Sequence, residues 1–319
     1  MKLIDLHCDT IGKFLKSETG ENLGQNKCSV SIPSMRKGNT MVQLFACFTY
    51  LPEFPEEGYE GSYRYVHKMI DCMEEQVKLF GNDIQIARSY EDIVENEDAG
   101  RISSILTVEE GGVLNGQMER LDILHERGIR LMTPIWNFEN CLGHPNSRDA
   151  EVMKKGLKPF GRDVVERMGE LNMIVDVSHA SDGTFWDILE IAKSPIIASH
   201  SNCRALCDHP RNMTDEMIRA LAERGGVSGL NFYGMFLGGK KESLIDDMVA
   251  HVLHMMQIGG SEFPANGTDF EGFSGMEILE IPEVADMGKL WDALKKKGIS
   301  ESQLDKIWCE NALRILKNL

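Results

Sequence analysis

Residues 173–201 read MIVDVSHASDGTFWDILEIAKSPIIASHS. Two short apolar runs, 173–178 and 195–199, flank an amphipathic segment over 182–191 whose length and spacing are typical of a helix. The first run leads into His179 and the second into His200. This stretch therefore predicts a strand, a helix and a second strand, with an imidazole at the end of each strand.

The same alternation extends over the rest of the chain. Eight β-rich runs alternate with helical patterns, and this succession is typical of a closed parallel (β/α)8 barrel, the TIM barrel. A sandwich or a doubly wound sheet is the alternative that the pattern leaves open. No linker, low-complexity tract or internal repeat interrupts the chain, so we expect residues 1–319 to form a single domain. The predicted strands are 2–7, 41–50, 102–108, 129–135, 173–178, 195–199, 226–231 and 263–269, and the predicted helices are 63–80, 117–126, 159–171, 182–191, 214–223 and 243–257.

The composition excludes several kinds of partner. The 319 residues carry 34 Lys and Arg against 50 Asp and Glu, which gives a net charge of −16. Nucleic acid and anionic membranes both attract basic surfaces, so neither is expected as a partner. The first residues lack the apolar core of a signal peptide, and no stretch approaches the length of a membrane span. Eight cysteines in such a chain are interpreted as reduced thiols, and the expected location is the cytoplasm.

Residues that can bind a metal or carry a proton follow five of the predicted strands. The carboxyl ends of barrel strands meet at one mouth, where the active site of a TIM barrel lies. Each set alone is weak evidence for a metal site, because a histidine that closes an apolar strand is more often a core residue than a ligand. Five such sets at one mouth of the barrel favour an active site. They are His7-Cys8-Asp9, Glu109-Glu110-Gly111-Gly112, Asp176-Val177-Ser178-His179, Ser199-His200-Ser201 and Gly267-Thr268-Asp269-Phe270-Glu271-Gly272.

The types of residue in these sets indicate zinc. His7 and Asp9 are two residues apart, so they face the same side of a strand. An imidazole beside a carboxylate suits Zn²⁺. With His179 and His200 elsewhere at the mouth, one further carboxylate is needed to bridge two metals that hold an activated hydroxide between them.

Two adjacent glutamates are candidates for this bridge. Neighbouring strand residues face opposite ways, so only one of Glu109 and Glu110 can point inward. The Gly-Gly that follows allows the backbone to crowd the site, which favours Glu110. Asp269 is then the expected general acid and base, because a carboxylate can take a proton from the attacking water and deliver it to the leaving amine.

Taken in order, these motifs resemble the membrane (renal) dipeptidase family of zinc dipeptidases. The resemblance covers almost the whole chain and implies a TIM barrel of the metallo-dependent hydrolase type. The activity it implies is hydrolysis of dipeptides, with tolerance of a D residue at the carboxyl-terminal position. The further matching runs are Gly156-Leu157-Lys158-Pro159-Phe160-Gly161, Pro210-Arg211-Asn212-Met213, Asn231-Phe232-Tyr233 and Asn311-Ala312-Leu313-Arg314.

The resemblance also assigns the metal ligands. Each chain would hold two Zn²⁺ ions, with one glutamate shared between them. By resemblance, the first zinc is bound by His7, Asp9 and Glu110, and the second by Glu110, His179 and His200.

The same resemblance implies roles around the metals. Asp269 corresponds to the family's catalytic carboxylate. Arg211 matches an arginine that holds the substrate's carboxyl-terminal carboxylate, and Tyr233 matches a tyrosine that lines the pocket. Independently of the resemblance, the loop over 273–282 carries several apolar residues and is expected to line a side-chain pocket. The family also suggests a homodimer.

Two positions depart from the family pattern. Where many relatives carry a histidine that steadies the substrate and the oxyanion, residues 133–137 read TPIWN and place Trp136 there. An indole offers one N–H donor and carries no proton, so Trp136 and Asn137 are expected to contact the substrate in a tighter and more apolar pocket. The usual Asp-Phe-Asp-Gly is replaced by residues 269–272, where Glu271 is a longer acid.

Two other functions stay open at this point. The first is a binuclear amidohydrolase acting on a cyclic amide or ester, but such barrels typically carry a carbamylated lysine where this chain has glutamate. The second is a metal-binding or scaffolding protein without catalysis. Trp136 supports that interpretation, whereas the intact Asp269 argues against it.

Overall fold

The structure is a computed structural model that describes residues 1–18 and 20–319. Its strands, in chain order, are β1 (Leu3–Asp5), β2 (Thr40–Phe48), β3 (Ile84–Ile86), β4 (Ile102–Glu109), β5 (Ile129–Thr133), β6 (Ile174–Asp176), β7 (Ile196–Ala198), β8 (Val227–Leu230), β9 (Glu242–Ser243), β10 (Pro264–Asn266) and β11 (Ile278–Leu279).

Eight of these strands close into a parallel barrel. Their order round the barrel is β2, β1, β10, β8, β7, β6, β5 and β4, and β4 pairs with β2 along seven residues to complete the ring. Strand β3 adds to the outer edge of β4, and β9 pairs with β11 in a separate two-stranded sheet. The predicted TIM barrel is therefore confirmed, and the sandwich and doubly wound alternatives are wrong.

Side chains inside the barrel alternate with outward-facing ones along each strand. On β4, Ile105 belongs to the interior cluster, whereas Leu106 and Val108 pack outward in the larger cluster that the helices cover. The apolar interior leaves the carboxyl ends of the strands for polar groups. The interior positions are filled by Ile4, Leu44, Ile105, Leu131, Ile174, Ile197, Val227 and Ala265.

Helices surround the barrel and also cover one end of its interior. The apolar residues Ala312, Ile315 and Leu316 of the last helix join the interior cluster. Among the described residues, no helix has the length and apolar character needed to cross a membrane. The helices are α1 (Thr10–Lys16), α2 (Ile32–Lys37), α3 (Tyr59–Leu79), α4 (Tyr90–Asp98), α5 (Met118–Glu126), α6 (Ala150–Met153), α7 (Pro159–Glu170), α8 (Asp182–Ile191), α9 (Asp215–Glu223), α10 (Gly234–Leu237), α11 (Ile245–Gly259), α12 (Gly288–Lys296), α13 (Glu301–Asp305) and α14 (Asn311–Leu316), with 3₁₀ turns at Leu51–Glu53, Gly111–Leu114 and Val284–Asp286 and a π-helical turn at Lys306–Glu310.

All six predicted helices occur, with ends displaced by a few residues. Helix α9 begins after Thr214, whose side chain accepts a hydrogen bond from the backbone N–H of Met217, as an N-cap does. Seven of the eight barrel strands end earlier than predicted, whereas β4 ends one residue later, at Glu109. Strand β10, for example, ends at Asn266 rather than at 269, because the following residues leave the hydrogen-bonded ladder and turn over the mouth.

Two glycines allow neighbouring strands to approach closely just below the mouth. A Cβ atom at Gly229 of β8 would overlap the backbone carbonyl of Ser199, and a Cβ atom at Gly267 would overlap the same oxygen. Backbone atoms cannot move aside as a flexible side chain can, so both positions require glycine.

We therefore expect Gly229→Ala to lower the free energy of unfolding by about 1 to 3 kcal/mol, the usual penalty for overpacking a core. Thermal unfolding of the variant and the parent measures this loss. Gly288→Ala is the matched control, because no atom lies within 4 Å of the added Cβ. An unchanged melting temperature for Gly229→Ala would contradict the close approach.

Candidate metal centre

Three histidines from three strand ends surround one buried glutamate. The Oε2 atom of Glu109 lies 3.3 Å from Nε2 of His7. Its Oε1 atom lies 3.0 Å from Nε2 of His179 and 3.5 Å from Nε2 of His200. The two oxygens of one carboxylate thus face two separate groups of imidazole nitrogens.

Two aspartates complete the site on the side of His7. The Nε2 atom of His7 lies 3.5 Å from Oδ2 of Asp9 and 3.9 Å from Oδ1 of Asp269. A Cβ atom at Gly272 would overlap both carboxylates, so glycine is needed where the last loop crosses them. We call His7, Asp9, Glu109, His179 and His200 the histidine–carboxylate cluster.

The backbone takes an unusual conformation where the strands turn into this site. His179, Asp269 and Glu271 have φ angles of 68°, 61° and 67°. The left-handed region is uncommon for residues with a side chain, and such residues concentrate at functional sites. The turns aim the side chains of His179 and Asp269 at the mouth after their strands have ended.

The choice of Glu110 as the inward-facing glutamate is wrong. Glu110 has a φ of 92°, and its carboxylate accepts hydrogen bonds from the backbone N–H of Gly112 at 2.7 Å and from Nδ2 of Asn140 at 2.6 Å. The reason is that side chains along β4 face inward and outward in alternation. Val108 packs outward against the helices, so the neighbouring Glu109 faces inward. Gly112 makes room for the carboxylate of Glu110 and for the ring of Tyr59, not for the cluster.

The two histidines opposite His7 are fixed by hydrogen bonds to their Nδ1 atoms. The Nδ1 atom of His179 lies 2.9 Å from the amide oxygen of Asn137, which accepts its hydrogen. The Nδ1 atom of His200 lies 2.7 Å from the hydroxyl of Ser199, which donates to the buried Asp176 at 2.6 Å. Both imidazoles therefore present an unprotonated Nε2 to the cluster.

The arrangement of these atoms fits a bound cation. The two Nε2 atoms of His179 and His200 are 3.0 Å apart, and with Nδ1 protonated in both rings neither carries a hydrogen to donate. Nε2 of His7 and Oδ1 of Asp9 are buried without a hydrogen-bond partner among the described residues. Buried carboxylate oxygens and imidazole nitrogens that converge in this way can bind a cation, and imidazole with carboxylate is a ligand set that suits Zn²⁺.

The charges within the cluster shift its pKa values strongly. Burial raises the pKa of Glu109, but the surrounding imidazoles, above all the charge of His7, hold it well below its usual range. Burial lowers the pKa of His7, yet the charges and hydrogen bonds of Glu109 and Asp9 together outweigh it and raise the pKa well above its usual value. Burial also lowers the pKa of His179 to about 4 and that of His200 well below its usual value. Two of the three imidazoles are thus neutral, as metal ligands must be.

Asp269 has the surroundings of a proton-transfer group. Its Oδ2 atom accepts a hydrogen bond of 2.9 Å from Nδ2 of Asn231. Burial raises the pKa of Asp269 to about 7, against the opposing charge of His7. A carboxyl whose pKa lies near neutrality can both accept and return a proton. Asn231 lies in one of the runs that match the family, but no local feature of the sequence predicted this contact.

A cavity of about 640 Å³ opens over the cluster. Aromatic rings form two of its walls. Trp136 packs against Phe48 and Tyr50 on one side, and Tyr233 stacks on Phe273 on the other. The predicted pocket residues Trp136, Asn137 and Tyr233 all line this cavity, and so does Phe273 of the loop that was expected to contribute.

Arg211 is a buried cation beside the cluster. Its side chain donates hydrogen bonds of 3.1 Å to the hydroxyl of Ser201 and to the backbone oxygen of His200, while its Nε atom has no partner among the described residues. Burial lowers the pKa of Arg211 to about 10, against the opposing charge of Asp269. The hydrogen bonds of this guanidinium go to a hydroxyl and a backbone oxygen and not to a carboxylate, so its charge is available to an anionic ligand.

Glu271, the other departure from the family pattern, has a structural contact. Its carboxylate accepts hydrogen bonds from the hydroxyl of Thr10 and, at 2.6 Å, from the backbone N–H of Ser29. The side chain therefore ties the segment around Ser29 to the loop that carries Asp269.

Comparison with known proteins identifies the family of the chain. The family model described as membrane dipeptidase (peptidase family M19) matches residues 1–319. An uncharacterised protein of the pqqA 5′ region of Klebsiella pneumoniae is 33% identical over 246 residues, which are 74% of this chain and 89% of that protein. The dipeptidase tcpJ of Claviceps purpurea is 27% identical over 268 residues, 84% of this chain and 63% of that protein.

Two solved structures share the fold. The metallopeptidase dipeptidase AC superposes with a TM-score of 0.90 at 23% identity, over 100% of this chain and 98% of that one. A metallopeptidase of Rhodobacter sphaeroides, liganded with a phosphinate mimic of the dipeptide L-Ala-D-Ala, gives a TM-score of 0.90 at 21% identity, over 100% and 99% of the two chains. At these identities the likeness shows the fold.

Proposed function

Since the chain belongs to the membrane dipeptidase family, peptidase family M19, and is a metallo-dipeptidase, we propose that it binds two zinc ions and hydrolyses dipeptides with a free carboxyl-terminal carboxylate. The observation that carries this proposal is the position of Glu109. One of its oxygens faces His7 and the other faces His179 and His200, so the carboxylate is suited to bridge two cations.

The proposed ligands divide between the two oxygens of this bridge. His7 and Asp9 would hold one zinc with Glu109, and His179 and His200 would hold the other with the same glutamate. Zn²⁺ bound there supplies Lewis acidity, which acidifies water and polarises a carbonyl oxygen.

Asp269 is the proposed proton carrier. It lies beside His7, and the hydrogen bond from Asn231 holds its orientation. In the hydrolysis of a dipeptide, Asp269 takes a proton from the attacking water and returns it to the nitrogen of the departing amino acid. Its raised pKa suits both steps, because neither the protonated nor the ionised form is strongly disfavoured near neutral pH.

Arg211 and the aromatic walls are the proposed substrate-binding groups. A buried guanidinium without an acidic partner can pair with the carboxylate of a dipeptide in a forked, charge-assisted contact. The rings of Trp136 and Tyr233 would cover apolar side chains of the substrate and exclude water. The similar fold of the Rhodobacter sphaeroides enzyme, which binds an L-Ala-D-Ala mimic, supports acceptance of a D residue at the carboxyl-terminal position.

Metal analysis tests the zinc centre. Protein purified without chelator, or reconstituted with zinc, should contain about two equivalents of zinc per chain. Glu109→Gln should lower this value, because an amide is a poor bridging ligand. A parent protein that stays below one equivalent after reconstitution would rule out the binuclear proposal.

A panel of L,L and L,D dipeptides, assayed for released amino acids, tests the activity and the role of Arg211. Arg211→Lys should weaken catalysis by about 2 to 4 kcal/mol in kcat/KM, because lysine lacks the forked geometry. Dipeptides amidated at the carboxyl terminus should be poor substrates of the parent enzyme. Equal rates on free and amidated substrates would remove Arg211 from this role, and no cleavage by the two-zinc protein would overturn the dipeptidase proposal.

Asp269→Asn tests the proton carrier. The amide preserves the shape of the side chain but cannot accept a proton, so turnover should fall by at least about 100-fold. Zinc content measured on the same sample is the control, since Asp269 is not a proposed ligand. Full activity in a variant with both zinc ions would contradict the assignment.

A further inference from the structure

Glu110 is a fully buried carboxylate that the proposed chemistry does not use. Its Oε1 atom accepts hydrogen bonds from the backbone N–H of Gly112 and from Nδ2 of Asn140, at 2.7 and 2.6 Å. Its Oε2 atom accepts a longer one, 3.4 Å, from the backbone N–H of Trp136. The side chain therefore joins the end of β4 to the loop that follows β5.

Asn140, which donates to Glu110 from the loop after β5, also forms hydrogen bonds within that loop. Its Nδ2 atom also donates to the backbone oxygen of Pro134 at 2.9 Å. Its Oδ1 atom accepts from the backbone N–H groups of Leu142 and Gly143 at 2.7 and 3.2 Å. Because these contacts close the loop on itself, Glu110 holds a folded unit rather than a single residue.

The loop held by Glu110 carries two residues of the cavity. Trp136 forms the aromatic wall with Phe48, and its ring centroid lies 5.8 Å from that of His179. Asn137 accepts the hydrogen bond from Nδ1 of His179. A displacement of this loop would move the wall of the cavity and the residue that orients a histidine of the cluster.

We propose that Glu110 is a positioning residue that fixes the Trp136 wall of the substrate cavity, and that it sets how bulky a dipeptide side chain the cavity accepts. A carboxylate suits the position because three N–H donors converge on it, and an ionised carboxyl group only accepts. Glutamine would keep an oxygen for Gly112 and Asn140 but would place an NH₂ group against the N–H of Trp136. Glu110→Gln should thus release Trp136 while the rest of the loop stays anchored.

The test compares Glu110→Gln and Glu110→Ala with the parent, and uses Glu109→Gln as the matched control one residue away. Both Glu110 variants should retain about two zinc ions, whereas Glu109→Gln should lose metal. For dipeptides with bulky apolar side chains, KM should rise about 5-fold in Glu110→Gln, the equivalent of one ordinary hydrogen bond, and further in Glu110→Ala, which also loses the two shorter ones. The kcat of Glu110→Gln should change much less than its KM.

A second readout does not depend on activity. The fluorescence of Trp136, obtained by subtracting the spectrum of Trp136→Phe, should become more accessible to acrylamide in the Glu110 variants. The kinetic readout rests on the proposed function, but this spectroscopic one does not, so failure of the dipeptidase proposal leaves the test of Glu110 intact.

Three results would overturn the proposal. Loss of zinc in Glu110→Gln to the same extent as in Glu109→Gln would make Glu110 a ligand. Unchanged KM values and unchanged quenching of Trp136 would mean that the contact positions nothing. If the Glu110 variants fail to fold, Asn140→Ala removes the shortest of the three hydrogen bonds between Glu110 and its neighbours, and it must reproduce the rise in KM and the increased quenching for the proposal to stand.

Discussion

The carboxylate of Glu109 lies among three imidazole rings that come from three different strand ends, and the mouth of the barrel is built round this contact. A buried carboxylate without such partners would cost several kcal/mol. The partners can reach it only in a closed barrel, because His7 follows β1 and His200 follows β7, on different sides of β4 in the ring. The sheet must therefore close into a barrel for the charge of Glu109 to be compensated.

The barrel and most of the cluster could be predicted because their signals are local. Each strand is a short apolar run between turns, and each polar group follows its strand within a few residues, as His7 and His200 do. The carboxyl ends of parallel strands must meet, so local order along the chain becomes proximity in space. The elements β3, β9 and β11 were not predicted, and none of them belongs to the ring of eight strands.

Glu110 was predicted in place of Glu109 because the prediction relied on the two glycines that follow and not on the alternation of side chains along β4. Ile105 and Thr107 share the face of Glu109, whereas Val108 shares the face that Glu110 would take, and this alternation was readable in the sequence. The supporting contacts were not readable. Asp176 reaches His200 through Ser199, and Asn231 reaches Asp269 across 38 residues, so only the folded chain brings these groups together.

The two departures from the family pattern lie on the walls of the cavity and not in the cluster. Trp136 packs among aromatic rings, and Glu271 uses the reach of its longer side chain to bind Thr10 and Ser29. Metal ligands have little freedom, because coordination fixes both the kind of donor atom and its distance. A cavity wall has only to fill space and satisfy its polar groups, so it can change while the cluster is kept. Differences in substrate range between relatives should therefore arise in the loops that hold Trp136 and Glu271, where a new side chain can be accommodated by its own local contacts.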